Sequence, residues 1–174
     1  MKKKLLYFFF INIFLICNIL TISYEAISFS IDFEPKTDAM MLLNIDTETM
    51  VYEKNAYKKM YPASTTKIMT YIIVEEKIAD IDNTTVTIKK ELLNSLLGTG
   101  SSMANIKEGD VLTVRQLLYC LMVKSGNDAA LVLADFIGKG NIESFVQMMN
   151  DKALALGCHD THFVNPHGLH DDNH

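Results

Sequence analysis

The stretch Tyr61–Thr70, YPASTTKIMT, constrains this chain more than any other, because it calls for a helix that begins where a serine and a lysine lie three residues apart. Pro62 fits a first helical turn, where its fixed φ and missing N–H cost nothing. Thr65, Ile68, Met69 and Ile72 then recur at helical spacing, which predicts a helix running to about Lys77 with a buried face along those residues. Side chains three apart share a helix face, so the Ser64 hydroxyl and the Lys67 amine fall within hydrogen-bond reach. Serine attacks poorly until a base takes its proton. Lysine becomes that base when burial and a neighbouring cation lower its pKa. The helix N-terminus adds free N–H groups and a positive dipole end, which suit an oxyanion. The pair is weak evidence alone: Ser-x-x-Lys arises by chance about once in a lysine-rich chain of this length, and a helix start with a solvated lysine explains it more simply.

Further along, Ser125-Gly126-Asn127 separates two apolar helical patterns, Thr113–Val123 and Asp128–Ile137. Short polar side chains on such a turn can point into a cleft, although an ordinary N-cap before a helix has the same composition. The other elements read plainly. AMMLLNID from Ala39, a turn at Thr47–Thr49 and MVYEKN form a β-hairpin, and the continuous apolar first strand predicts a sheet covered on at least one face. Thr85–Ile88 reads as a strand, Glu91–Leu97 as a short helix ended by Gly98, and Gly98–Asn105 as a polar loop. Ile142–Leu156 reads as a helix with Phe145, Met148, Met149, Ala153 and Leu156 on one side and Gly157 as its C-cap.

The chain's 174 residues suffice for one modest domain, and 49% hydrophobic with 21% charged residues is a globular composition. Lys2, Lys3 and Lys4 precede an apolar run from Leu5 to Ile22, and Ala26-Ile27-Ser28 supplies a small-x-small cleavage pattern. Residues 1–30 therefore read as an export signal, with retention as an N-terminal membrane anchor left open. Removing that segment leaves 13 basic against 20 acidic residues, which argues against nucleic acid as a partner. A Cys120–Cys158 disulfide is open to an exported chain, two buried free thiols being the plainer reading. His159, His162, His167, His170 and His174, with Cys158, make a zinc site thinkable from their spacing.

From about residue 38 to the end, the chain resembles the D-alanyl-D-alanine carboxypeptidases among the low-molecular-mass penicillin-binding proteins. The resemblance rests on the hairpin leading into YPASTTKIMT, on GSSMANIKEGDVLTVRQLLYCLMVKSGNDAALVLADF, and on THFVNPHGLHDDNH, in that order. It implies an α/β (α+β) fold of β-lactamase/transpeptidase type, an antiparallel sheet with a helical subdomain. It also implies that Ser64 is the acylated nucleophile, Lys67 its general base, Ser125 a proton relay toward the leaving amine, and Asn127 a hydrogen-bond partner of the substrate amide and of Lys67. The implied substrate is a peptidoglycan stem peptide ending in D-Ala-D-Ala, processed at the extracytoplasmic face of the membrane, with β-lactam antibiotics as inhibitors and no metal or organic cofactor. His167 falls in NPHGL, which the resemblance explains as a loop packing beside the catalytic domain rather than as a zinc ligand.

One departure stands out: the family's third box, Lys-Thr-Gly, does not occur in this sequence. In the family it supplies a cation near the lysine, groups for the substrate carboxylate and an oxyanion-hole neighbour. Residues 38–174 are therefore expected to be the N-terminal part of a catalytic domain, incomplete at its C-terminus and with little activity alone. Contact with a membrane would come through the N-terminal segment or a missing C-terminal anchor. Two other readings compete. A class A β-lactamase shares the fold but reads Ser-Asp-Asn where this chain has Ser-Gly-Asn. An exported, non-catalytic binding module would carry Ser64 and Lys67 without using them.

Overall fold

The computed structural model describes residues 34–174, so the export signal and Cys17 lie outside the described residues. The chain divides into two units, Met1–Lys58 and Lys59–His174. The described part of the first is the expected hairpin, in which β1 (Met40–Asn44) pairs antiparallel with β2 (Thr49–Lys54), with a bulge between Leu42 and Leu43. Asn44 Oδ1 accepts the backbone N–H groups of Asp46 and Thr47 at 3.0 and 3.1 Å, which fixes the turn. The covered sheet face predicted from β1 is not found: Met41, Leu42 and Leu43 are exposed. Among the described residues no third strand joins this pair.

The second unit is mainly helical. A 3-10 turn over Ala63–Thr65 leads into α1 (Thr66–Lys77), followed by β3 (Thr85–Thr87), α2 (Lys90–Asn94), β4 (Val111–Thr113), α3 (Val114–Val123), α4 (Asn127–Ile137) and α5 (Ile142–Ala155). At the centre lies α4, NDAALVLADFI, whose residues are buried without interruption from Asn127 to Ala134. A helix apolar around its whole circumference has to be enclosed, and two cores enclose this one. In the first, Ala129, Ala130, Val132 and Leu133 pack with Val74 of α1, Val86, Ile88, and Val114, Leu117 and Leu121 of α3. In the second, Ala134 packs with Met69 and Ile73 of α1, Phe145, Met149 and Ala153 of α5, and Phe163. Each large side chain fully buried here contributes about 1.5–3 kcal/mol.

Strand β4 escapes the sequence reading, which assigns Thr113 to a helix and sees no strand before it. Three residues are too few to show a period, yet Val86 pairs with Leu112 and Thr85 with Thr113. Thr113 then ends the strand and caps α3 in a capping box, its hydroxyl accepting from Gln116 N at 3.2 Å while Gln116 Oε1 accepts from Thr113 N at 2.9 Å. Leu156, expected on the buried side of α5, is exposed. Cys120 is half-buried and Cys158 exposed, both free; Cys158 is not buried as expected because it follows Gly157, whose positive φ turns the chain off the helix end.

Candidate active site

The buried face of α1 is turned about one position from the one predicted. Thr65 and Ile68 are exposed, whereas Thr66, Lys67, Met69, Thr70, Ile73 and Val74 are buried. Three of those six are polar, and each finds its partner on the segment 164–174. Thr70 Oγ1 donates to Pro166 O at 2.6 Å, Lys67 Nζ donates to His167 O at 2.8 Å, and Thr66 Oγ1 lies 2.8 Å from His174 Nε2. Val164 N donates to His174 Nδ1, so that ring carries its proton on Nε2 and donates it to Thr66. Among the described residues no buried side-chain nitrogen or oxygen lacks a partner, as burial of polar groups requires.

Ser64 stands at the mouth of this arrangement. Its hydroxyl is exposed, and Lys67 Nζ, in a side chain only 2% exposed, lies 3.3 Å from it. The preceding residue, Ala63, has φ +46, a left-handed conformation that costs a non-glycine residue about 1–2 kcal/mol. Gly168 closes against it: with φ +83, any Cβ there would run into the Ala63 carbonyl and come within 2.9 Å of Thr66 Oγ1. Only glycine lets the two backbone segments approach this closely.

The NPHGL loop thus does more than pack beside the domain. Asn165 Oδ1 accepts the N–H groups of His167 (3.2 Å) and Gly168 (2.7 Å), Asn165 Nδ2 donates to Leu169 O (2.8 Å), and Leu169 N donates to His167 Nδ1 (3.2 Å). The result is a tight turn that presents the His167 carbonyl to Lys67.

Ser125 and Asn127 lie where α3 passes into α4. Ser125 is half-buried with φ +52, and Asn127 is buried as the first residue of α4, its N–H donating to Ser102 O at 2.9 Å. The amine of Lys67 makes its hydrogen bonds to Ser64 and His167; none to Ser125 or Asn127 is present among the described residues. Next to Asn127, the carboxylate of Asp128 is fully buried and accepts three backbone N–H groups, from Ala104 (3.0 Å), Ala129 (2.9 Å) and Ile106 (3.2 Å). It fastens the loop 98–106 to the start of α4, and its charge also reaches Lys67.

These surroundings set the protonation states. Burial lowers the Lys67 pKa from 10.5 to about 8, against the opposing pull of Asp128. No second cation is needed for this shift; desolvation of the ammonium suffices. Burial, helped by the nearby Lys67 and His174, lowers His167 to about 4, so its imidazole stays neutral at physiological pH. An exposed hydroxyl beside a buried, partly deprotonated amine is the arrangement a serine nucleophile needs.

The other histidines disperse. His170 stacks edge-on against Tyr61 with ring centroids 4.5 Å apart, and His162 Nδ1 meets Asn173 O at 2.5 Å. Among the described residues no three His, Cys, Asp or Glu side chains come together as a metal would require. A groove of about 220 Å³ lined by Tyr71, Glu75, Arg115 and Tyr119 includes none of the candidate residues.

A family model described as D-alanyl-D-alanine carboxypeptidase matches residues 27–174. The chain belongs to that family. It is 36% identical over 134 residues to the D-alanyl-D-alanine carboxypeptidase DacF of Bacillus subtilis, covering 77% of this chain and 34% of that protein. With the D-alanyl-D-alanine carboxypeptidase of Streptomyces sp. strain K15 the identity is 40% over 133 residues, covering 73% and 45%. The crystal structure of the Streptomyces K15 DD-transpeptidase superimposes with a TM-score of 0.74 at 37% identity, over 81% of this chain and 56% of that one. The carboxypeptidase-family chain therefore has the α+β fold of the DD-peptidases and spans less than half the length of these curated relatives.

Sequence reasoning finds Ser64 and Lys67 as a contacting pair. It misses the partners of Lys67 and the part played by Asp128. The Asn-Pro and Gly of NPHGL signal a turn, but no spacing in the sequence tells which helix that turn meets.

Proposed function

We propose that this chain carries the nucleophile-bearing half of a serine D-Ala-D-Ala carboxypeptidase acting on peptidoglycan stem peptides outside the cytoplasm. The observation that supports it best is the exposed Ser64 hydroxyl 3.3 Å from the buried Lys67 amine, whose pKa is lowered to about 8. In this reading neutral Lys67 takes the Ser64 proton as Oγ attacks the carbonyl carbon between the two D-alanines. The tetrahedral adduct collapses, the C–N bond breaks, and the leaving amine of D-alanine receives a proton through Ser125. Water then hydrolyses the ester and frees Ser64. Asn127 orients the substrate amide. β-Lactams enter the same path, their strained amide standing in for the scissile bond.

Because the sequence holds no Lys-Thr-Gly, the test joins this chain to the segment of the Streptomyces relative that lies beyond the matched region. A fluorescent penicillin is expected to label the joined protein at Ser64, and Ser64→Ala to abolish labelling. Release of D-alanine from a D-Ala-D-Ala peptide is expected to follow the same dependence on Ser64 and Lys67. Labelling that survives Ser64→Ala would overturn the assignment, and rapid turnover of the penicillin would point to a β-lactamase instead.

A further inference from the structure

Lys67 as base must present a lone pair, not a proton, to Ser64. A neutral amine has two N–H groups and one lone pair, so a fixed acceptor for one N–H limits where the lone pair points. That acceptor is the His167 carbonyl, 2.8 Å away and buried. A backbone carbonyl cannot be chosen by side-chain identity; its direction depends on what folds the turn. Two side chains do so. Asn165 ties the turn from inside through His167 N, Gly168 N and Leu169 O, and Thr70, fully buried one helical turn beyond Lys67, grips the adjoining Pro166 carbonyl at 2.6 Å. Neither touches Ser64 or Lys67 through its side-chain hydrogen bonds.

We propose that Asn165 and Thr70 are positioning residues: they hold the 165–169 turn so that the His167 carbonyl orients the Lys67 amine toward Ser64 and the turn keeps water off it. The inference rests on Lys67 being the base. The charged or titratable groups acting around the amine are Asp128 from α4 and the His167 imidazole from the turn itself, and neither residue is replaced in the variants that follow.

The test compares Asn165→Ala, Thr70→Val and Thr70→Ser in the full chain. Thr70→Val keeps volume and loses the hydroxyl, whereas Thr70→Ser keeps the hydroxyl and loses a methyl. Titration of a ¹³C-lysine sample, with the Lys67 signal assigned by its loss in Lys67→Arg, reads the amine directly and needs no activity. The unsubstituted chain is expected to titrate at about 8. Asn165→Ala and Thr70→Val loosen the turn, admit water and move the midpoint up toward the ordinary lysine value; Thr70→Ser leaves it in place. In the protein joined to the Streptomyces segment, penicillin acylation falls on the order of tenfold to a hundredfold for the first two variants and is retained by Thr70→Ser. If Thr70→Val titrates and acylates like the unsubstituted protein, or Thr70→Ser behaves no better than Thr70→Val, the positioning role is refuted while Lys67 remains the base. If the unsubstituted chain itself titrates as an ordinary lysine, it is the base reading that fails. Should Asn165→Ala not fold, the Thr70 pair decides.

Discussion

Replacing Lys67 with methionine isolates what it costs to keep a charge inside this fold. The side chain is 2% exposed and its pKa falls from 10.5 to about 8, burial being the larger influence and Asp128 opposing it. The direction follows from proton counting. Below about pH 8 both folded and unfolded chains carry the proton, and the folded state bears the full penalty. Between about 8 and 10.5 the unfolded chain binds more protons than the folded one, so stability rises with pH; above 10.5 the penalty is gone. At about 1.4 kcal/mol per pH unit, that interval corresponds to about 3 kcal/mol. Methionine is one atom shorter, similarly unbranched and uncharged, but it leaves the buried His167 carbonyl without a donor, a loss of about 1–3 kcal/mol. At neutral pH the two effects nearly offset each other, and Lys67→Met should be close to neutral or mildly stabilising. At the alkaline end only the lost hydrogen bond remains, and the variant should be the less stable. Urea unfolding of both proteins across this range measures the difference, and groups titrating alike in both cancel. The stability of the lysine form relative to the methionine form is expected to climb by about 3 kcal/mol from pH 8 to 10.5. A difference that stays level with pH would refute the claim that burial lowers this pKa.

Three further outcomes follow from the same neighbourhood. His167 is held at about 4 against an ordinary 6.5, so its contribution is present above 6.5 and lost as pH falls through 4, an acid destabilisation of about 3 kcal/mol. Asparagine there keeps an acceptor for Leu169 N and should flatten that limb in acid unfolding curves. Asp128→Asn puts an amide N–H against one of three backbone donors, which should cost about 2 kcal/mol in chemical denaturation and push Lys67 still lower in the ¹³C-lysine titration. Gly168→Ala forces a Cβ onto the Ala63 carbonyl at a positive φ. Thermal unfolding should report a loss of about 2 kcal/mol or more, and Gly168→Asn, though asparagine tolerates this φ, should fare no better because its Cβ meets the same oxygen.

Local spacing makes the Ser64–Lys67 contact and most helix limits legible, because a three-residue interval on a helix fixes a contact wherever the helix goes. What hydropathy misplaces is the inward face of α1, because it assigns Ile68 to the interior and has no reason to send a lysine there. Thr66, Lys67 and Thr70 go inward because acceptors and a donor wait on a segment about a hundred residues later, with Lys67 and the His167 carbonyl 100 positions apart. A buried ammonium without such a partner would cost several kcal/mol, so the polar face of α1 and the 164–174 segment are stable only together. The surroundings of the Lys67 amine are therefore completed by a segment made long after the helix that carries it. Changes at Asn165, Gly168 or His167 should register at Lys67 before they register in the apolar cores around α4.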